Sequence, residues 1–145
     1  MNNSELEKKI NFIANNLVNQ QGFISSIDIL IRLEVLSQAD YENWRKGKIE
    51  YLEKACQVNL RKMTTINRII RQISIKMKLE PSLTAYNKYG KGPKIKLRFS
   101  KSGDDNIEKA YSTHYLNKSR LNQLTDLTGE HVPGEKENYG QVKSL

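Results

Sequence analysis

The residues of this chain best spaced for chemistry lie in SGDDNIEKAYSTH, residues 102–114. Asp104, Asp105, Glu108 and His114 offer three carboxylates and an imidazole, a donor set that could hold a divalent cation for phosphodiester hydrolysis. The same spacing has a plainer use. Asp104 or Asp105 can open a helix, Glu108 falls in its first turn, and Lys109 and His114 follow towards its C-terminal half, the charge order a helix dipole favours. HExxH, GxSxG and P-loop patterns are absent. The other imidazole is His131, and the lone Cys56 sits in an apolar stretch that suits a small core residue better than a nucleophile. The expectation is therefore a protein that is not an enzyme, with no catalytic residue, metal site or cofactor; a metal-dependent nuclease is the least favoured alternative.

A different chemistry is carried by residues 60–79. Placed on a helix, Met63, Ile66, Ile70, Ile73 and Met77 gather on one side. Arg61, Arg68 and Arg71 lie opposite, flanked by Thr64, Thr65, Gln72 and Lys76, with Ile75 also outward. Arg can pair with guanine O6 and N7, Gln with adenine, and an apolar group such as Ile75 can touch a thymine methyl, so this face has the groups that read a major groove. An amphipathic surface helix without a ligand would share the pattern.

The stretch NKYGKGPKIKLRFSKSG, residues 87–103, adds six cations, Lys88, Lys91, Lys94, Lys96, Arg98 and Lys101, and no acid. Across residues 44–103, sixteen Lys and Arg face three acids, Glu50, Glu53 and Glu80, whereas the rest of the chain has eight cations and thirteen acids. A net charge of +8 segregated in this way favours a polyanion, and nucleic acid is the commonest one in the cytosol. No apolar run approaches the roughly 20 residues that span a bilayer. With one cysteine and no secretion-type apolar leader, the chain reads as cytoplasmic.

Several elements must position these groups. Ser4, Glu5 and Glu7 open a helix over 4–20, with Leu6, Ile10, Ile13 and Leu17 on one face. Ser25 or Ser26 caps a helix from about 26 to 35, burying Ile27, Leu30, Ile31 and Val35. Ser37, three residues before Asp40, starts a short helix that Gly47 ends, and Tyr41 and Trp44 within it read as structural. Residues 50–79 read as one helix or two, a break near Arg61–Thr64 with Thr64 as cap being favoured. Pro81 closes that section. Then the period changes: Ile95, Leu97 and Phe99 alternate with Lys94, Lys96 and Arg98, as in a strand with one buried face. LTAYNKY pairs with it through the turn GKGP, where Gly90 and Gly92 allow tight geometry, and Tyr86 or Tyr89 could stack on bases. A helix from Asp104 to about Leu116 packs back through Ile107, Ala110 and Tyr111, and from Asn117 the pattern thins into a tail.

Several helices, a cationic helix, then a hairpin with a basic tip: over residues 23–100 this order resembles the winged helix-turn-helix superfamily. That resemblance implies a last helix that reads the major groove and a hairpin wing that touches phosphate or minor groove. Trp44, Arg45, Gly47, Tyr51, Leu52 and Glu53 also resemble a Trp-Arg-x-Gly, Tyr-Leu-Glu segment of small uncharacterised bacterial proteins, which implies a bacterial source and no activity. The expected fold is mainly α with a β-hairpin: an N-terminal helix (1–22), a winged-helix-like single domain with a C-terminal helix (23–118) and a flexible tail (119–145). The expected ligand is duplex DNA, held by Arg61, Thr64, Thr65, Arg68, Arg71, Gln72, Ile75 and Lys76 of the helix and by Lys88, Lys91, Lys94, Lys96 and Arg98 of the wing. An interaction module whose basic face meets an acidic protein is the alternative, and a homodimer is compatible with either.

Overall fold

The computed structural model describes residues 2–128. The order is α1 (Asn3–Gln21), β1 (Phe23–Ile24), α2 (Ser26–Arg32), α3 (Gln38–Arg45), a 3-10 turn (Leu52–Ala55), α4 (Leu60–Lys76), β2 (Glu80–Leu83), α5 (Asp105–Ser112), β3 (Thr113–Leu116) and α6 (Lys118–Thr128). The described part is mainly helical, with one small antiparallel sheet ordered β1-β3-β2. None of its helices is long and apolar enough to cross a membrane.

Local side-chain chemistry starts most helices. Asn2, Ser25, Ser37, Asn59 and Asp104 each accept a backbone N–H three residues on, satisfying a donor the helix leaves open. The break before α4 therefore falls at Asn59. Thr64 Oγ1 instead donates back to the Leu60 carbonyl, inside the helix. Gly22 ends α1 at φ 82°, and a Cβ there would come within 2.7 Å of the Leu121 side chain, so both backbone and space require glycine. α2 stops at Arg32, short of the expected 35, because Glu34 turns left-handed at φ 63° and Val35 N then returns to the Leu30 carbonyl. Val35 is still buried.

The core joins α1 (Leu6, Ile10, Leu17), α2 (Ile27, Leu30), α4 (Met63, Ile66, Ile69, Ile70, Ile73) and a run of rings. Trp44 lies 5.9 Å from Tyr86 and 5.0 Å from Phe99, Phe99 stacks on Tyr111 at 5.4 Å, and His114 stacks on Phe23 at 5.4 Å (centroid distances). These stacked and tilted contacts add to the area the rings remove from water.

Four expectations are corrected. First, the sheet is built elsewhere than in the hairpin: β3 pairs with β1 (Phe23↔Leu116) and with β2 (Leu83↔Thr113). Pro81 sits within β2, an edge strand, where a missing N–H is tolerated. Second, the 84–99 hairpin holds only one isolated bridge, Asn87↔Lys96, with Lys88 N donating to the Ile95 carbonyl and Leu97 N to the Tyr86 carbonyl. Beyond Leu97 other partners take the backbone. Trp44 Nε1 and Leu52 N donate to the Arg98 carbonyl, Glu53 N donates to the Phe99 carbonyl, and Phe99 N donates to Glu108. Leu97 and Phe99 are buried, but Ile95 is 54% exposed, since only one bridge holds its side of the turn. Third, the helix expected over 104–116 ends at Ser112, and Thr113–Leu116 becomes the central strand. Fourth, residues 119–128 of the expected tail belong to α6. It is seated by buried Leu121 against Phe23 and Leu116 and by Arg120, whose Nε and Nη2 donate to the Asn19 carbonyl. Residues 129–145, His131 among them, lie outside the described residues.

Burial holds the tyrosine hydroxyls of Tyr41, Tyr86, Tyr89, Tyr111 and Tyr115 protonated above their ordinary 10.0. The hydrogen bond to Glu53 adds to this at Tyr111. The Cys56 thiol is likewise pushed by burial from 9.0 up to about 12, which removes it as a neutral-pH nucleophile. All six groups are neutral when protonated and are held so more tightly in the folded state. The fold is thus indifferent to them below pH 9 and loses stability as pH rises from there towards 12. Alkaline titration is expected to show the tyrosinate absorbance of these five tyrosines rising together with loss of helical circular dichroism; full tyrosinate absorbance with helicity intact would contradict this packing.

Candidate nucleic-acid interface

α4 is anchored through Met63, Ile66, Ile69, Ile70, Ile73 and Ser74, all buried. That fixes what faces out. Arg61, Thr64, Arg68, Arg71, Gln72, Ile75 and Lys76 are exposed, Ile75 to 60%, and Thr65 is half-buried. Met77, expected on the inner face, is half-buried just past the last turn. The hydroxyls of Thr64 and Thr65 are spent on the carbonyls of Leu60 and Arg61. Each can still accept a hydrogen bond but has no free proton to offer a base.

Among the described residues, none of Arg61, Arg68 and Arg71 forms an ion pair with a carboxylate. The acid that lines the same groove as Arg68 and Arg71, Glu53, is hydrogen-bonded elsewhere. Glu53 accepts from Lys101 N (3.0 Å) and from Tyr111 Oη (2.7 Å). Glu108 accepts from Phe99 N (3.0 Å), Ser100 N (2.7 Å) and Ser100 Oγ (2.6 Å). These two carboxylates pin the 99–101 segment against α5 and the 3-10 turn.

Thr64, Arg68, Arg71 and Gln72 form one wall of a groove of about 910 Å³. Asn106, Ile107 and Ala110 of α5 form the other wall, with Lys101 and Ser102 at one end. Lys101, Asn106 and Ile107 were missed as site residues. Lys101 stood in the cationic stretch and carried a signal; the α5 residues carried none, because only tertiary packing brings α5 beside α4.

The hairpin is positioned by Arg45, which is 1% exposed. Its Nε and Nη2 donate to the Asn87 carbonyl at 3.1 and 2.9 Å, and Nη1 donates to Tyr41 Oη at 2.9 Å. Its guanidinium carbon lies 4.6 Å from the Tyr89 ring centroid and 5.2 Å from that of Tyr86. Tyr86 is fully buried and Tyr89 packs on Arg45, so neither is a free platform for a base. Lys88, Lys91, Lys94 and Lys96 are exposed. Gly90 and Gly92 take φ 126° and 104°, and a Cβ on either would meet nothing within 4 Å, so it is the backbone that needs glycine there. Arg98 is partly committed: Nη2 lies 3.6 Å from Glu50, and the guanidinium lies over Tyr51.

The two cationic sets line different grooves. Lys88, Lys96 and Arg98 border a shallow depression of about 360 Å³ with Gly47, Ile49 and Glu50. From the 87–103 stretch, Lys101 is the cation that reaches the α4 groove.

Asp104, Asp105, Glu108 and His114 do not converge. Asp104 caps α5, Asp105 pairs with Lys109 at 3.0 Å, Glu108 holds Phe99 and Ser100, and His114 is buried with Nε2 2.7 Å from Tyr86 Oη. Among the described residues, no three His, Cys, Asp or Glu side chains are grouped to hold a metal ion. Comparison with protein-family models, with curated proteins and with solved structures returns no match, so the functional reading rests on this geometry and charge alone.

Proposed function

We propose that the chain is a nucleic-acid-binding protein, duplex DNA being its first target, with α4 as the reading element and the 88–98 hairpin as a phosphate-holding arm. The observation that carries the reading is the exposed row Arg61, Arg68, Arg71 and Lys76, none in an ion pair among the described residues, on a helix whose opposite face is locked into the core. Gln72 and Ile75 on the same surface supply an adenine-pairing amide and a methyl-contacting group. The element order supports a winged-helix-like arrangement: β2 follows α4 directly, pairs with β3, and the basic hairpin lies in the connection between them. That connection also carries α5, which flanks α4, so entry into a major groove would be led by the parts of α4 that α5 leaves open.

The test is an electrophoretic shift of random duplex DNA, single-stranded DNA and RNA at two salt concentrations. Counterion release makes affinity fall with salt, and contact with about four phosphates predicts a loss of about 100-fold between roughly 50 and 200 mM. Duplex is expected to bind most tightly. Absence of any shift at low salt, or a salt-independent one, would remove the nucleic-acid reading.

A further inference from the structure

We infer that the groove between α4 and α5 is a docking site for an acidic, amphipathic helix of a partner protein. The inference does not depend on nucleic-acid binding, although Arg68 and Arg71 would serve both ligands and make them compete.

The apolar groups of the groove motivate it. Leu60 and Ile107, one from each wall, are 56% and 41% exposed, large apolar side chains left in water in a lining that also holds Ala110 and buried Tyr111. A sugar-phosphate backbone offers little apolar surface to cover them, whereas the leucine face of a helix offers a continuous one. Cations edge this apolar strip: Arg68 and Arg71 along α4 and Lys101 at one end. The acid in the lining, Glu53, is held by Lys101 N and Tyr111 Oη. A ligand with an apolar stripe flanked by carboxylates matches both features at once.

The length also fits a helix. Leu60, Thr64, Arg68, Arg71 and Ile75 follow one another at intervals of four, four, three and four residues, a single stripe about 22 Å long at 1.5 Å per residue. Ile75, 60% exposed, extends the stripe past the groove with another apolar contact. A second copy of this chain is a poor occupant: in a two-fold contact the same patch meets itself, setting Arg61, Arg68, Arg71 and Lys76 against their own copies.

The experiment uses the full chain and a fluorescein-labelled helical peptide of about 18 residues, with leucines on one face and glutamates beside them, read by anisotropy. A second peptide has the same charges and serines in place of the leucines. The leucine peptide is expected to bind at least about tenfold more tightly, and Ile107→Asn or Leu60→Asn to weaken it by about tenfold, as fits loss of an apolar contact. Both substituted residues are substantially exposed, and a thermal melt confirms folding; if one variant is unstable, the other decides. Equal binding of the two peptides, no binding of either, or unchanged binding by the folded variants would overturn the proposal. Leu60→Asn, which lies outside the nucleic-acid contact set and removes no phosphate-contacting charge, should alter duplex DNA affinity by less than about twofold. Peptide binding without DNA binding would therefore reject the nucleic-acid reading alone, and the converse would reject this one alone.

Discussion

Arg45→Ala is expected to destabilise the folded chain by about 3–5 kcal/mol, a large share of the roughly 5–15 kcal/mol that holds a domain together. Arg45 is buried, and its three hydrogen bonds end on the Asn87 carbonyl and the Tyr41 hydroxyl, where no carboxylate sits. Truncation leaves those two oxygens short of a donor, opens a cavity among Tyr41, Tyr86 and Tyr89, and frees the start of the hairpin. Two further variants separate the terms. Arg45→Lys keeps the charge but cannot reproduce the fork that makes two bonds to one carbonyl, and should lose about 2–3 kcal/mol. Arg45→Met fills much of the space without burying a charge, so it should cost less than alanine. Urea denaturation of the three variants gives the ranking. If alanine shifts stability by less than about 1 kcal/mol, the guanidinium is not what holds the hairpin.

The second large effect concerns binding. Lys91→Ala with Lys94→Ala removes two cations from the hairpin tip, away from the groove beside α4. Affinity should fall for every duplex sequence alike, and the salt slope should shrink by about two phosphates' worth. Arg68→Ala with Arg71→Ala should act differently. Each arginine that reaches a base edge discriminates by about 1–3 kcal/mol, so each of the two losses should flatten the preference between duplexes by roughly 5- to 150-fold. The measurement is a set of competition isotherms with selected and random duplexes. Equal, sequence-blind losses from both pairs would reject the division of labour and leave α4 as a phosphate contact. The separate grooves of the two sets make this outcome informative, since loss at one set need not disturb the other.

How much of this was legible in the chain depends on how far apart the interacting groups lie. The caps of α2 and α3 at Ser25 and Ser37 were readable because a side-chain oxygen meets an amide three residues on. The two faces of α4 were readable for the same reason: a period of 3.6 sorts Met63, Ile66, Ile70 and Ile73 inward and the arginines outward before any neighbour is known. The segregation of cations into residues 44–103 is a property of composition alone.

The remainder turned on contacts that no local pattern contains. Thr113–Leu116 continues the apolar spacing of α5 and would pass as its last turn; it is a strand because Phe23–Ile24 lies on one side of it and Glu80–Leu83 on the other, some 90 and 30 residues away in the chain. Ile95 alternates as a buried residue should, yet is exposed because one isolated bridge holds its side of the turn, while the backbone beyond Leu97 is claimed by Trp44, Leu52, Glu53 and Glu108. Lys118–Thr128 is polar enough to read as a tail; it folds because Leu121 finds Phe23 and Leu116, and Arg120 finds Asn19, about 100 residues earlier. The groove has the same origin. One wall could be drawn from the periodicity of α4, but the other exists only because Glu53 and Glu108 hold the 99–101 segment in place and bring α5 alongside. The chain by itself determined which residues would be charged and outward, through hydrogen bonds and spacings a few residues long. Tertiary packing alone decided which of those charges face a shared hollow, because that depends on carboxylates and rings brought together across half its length.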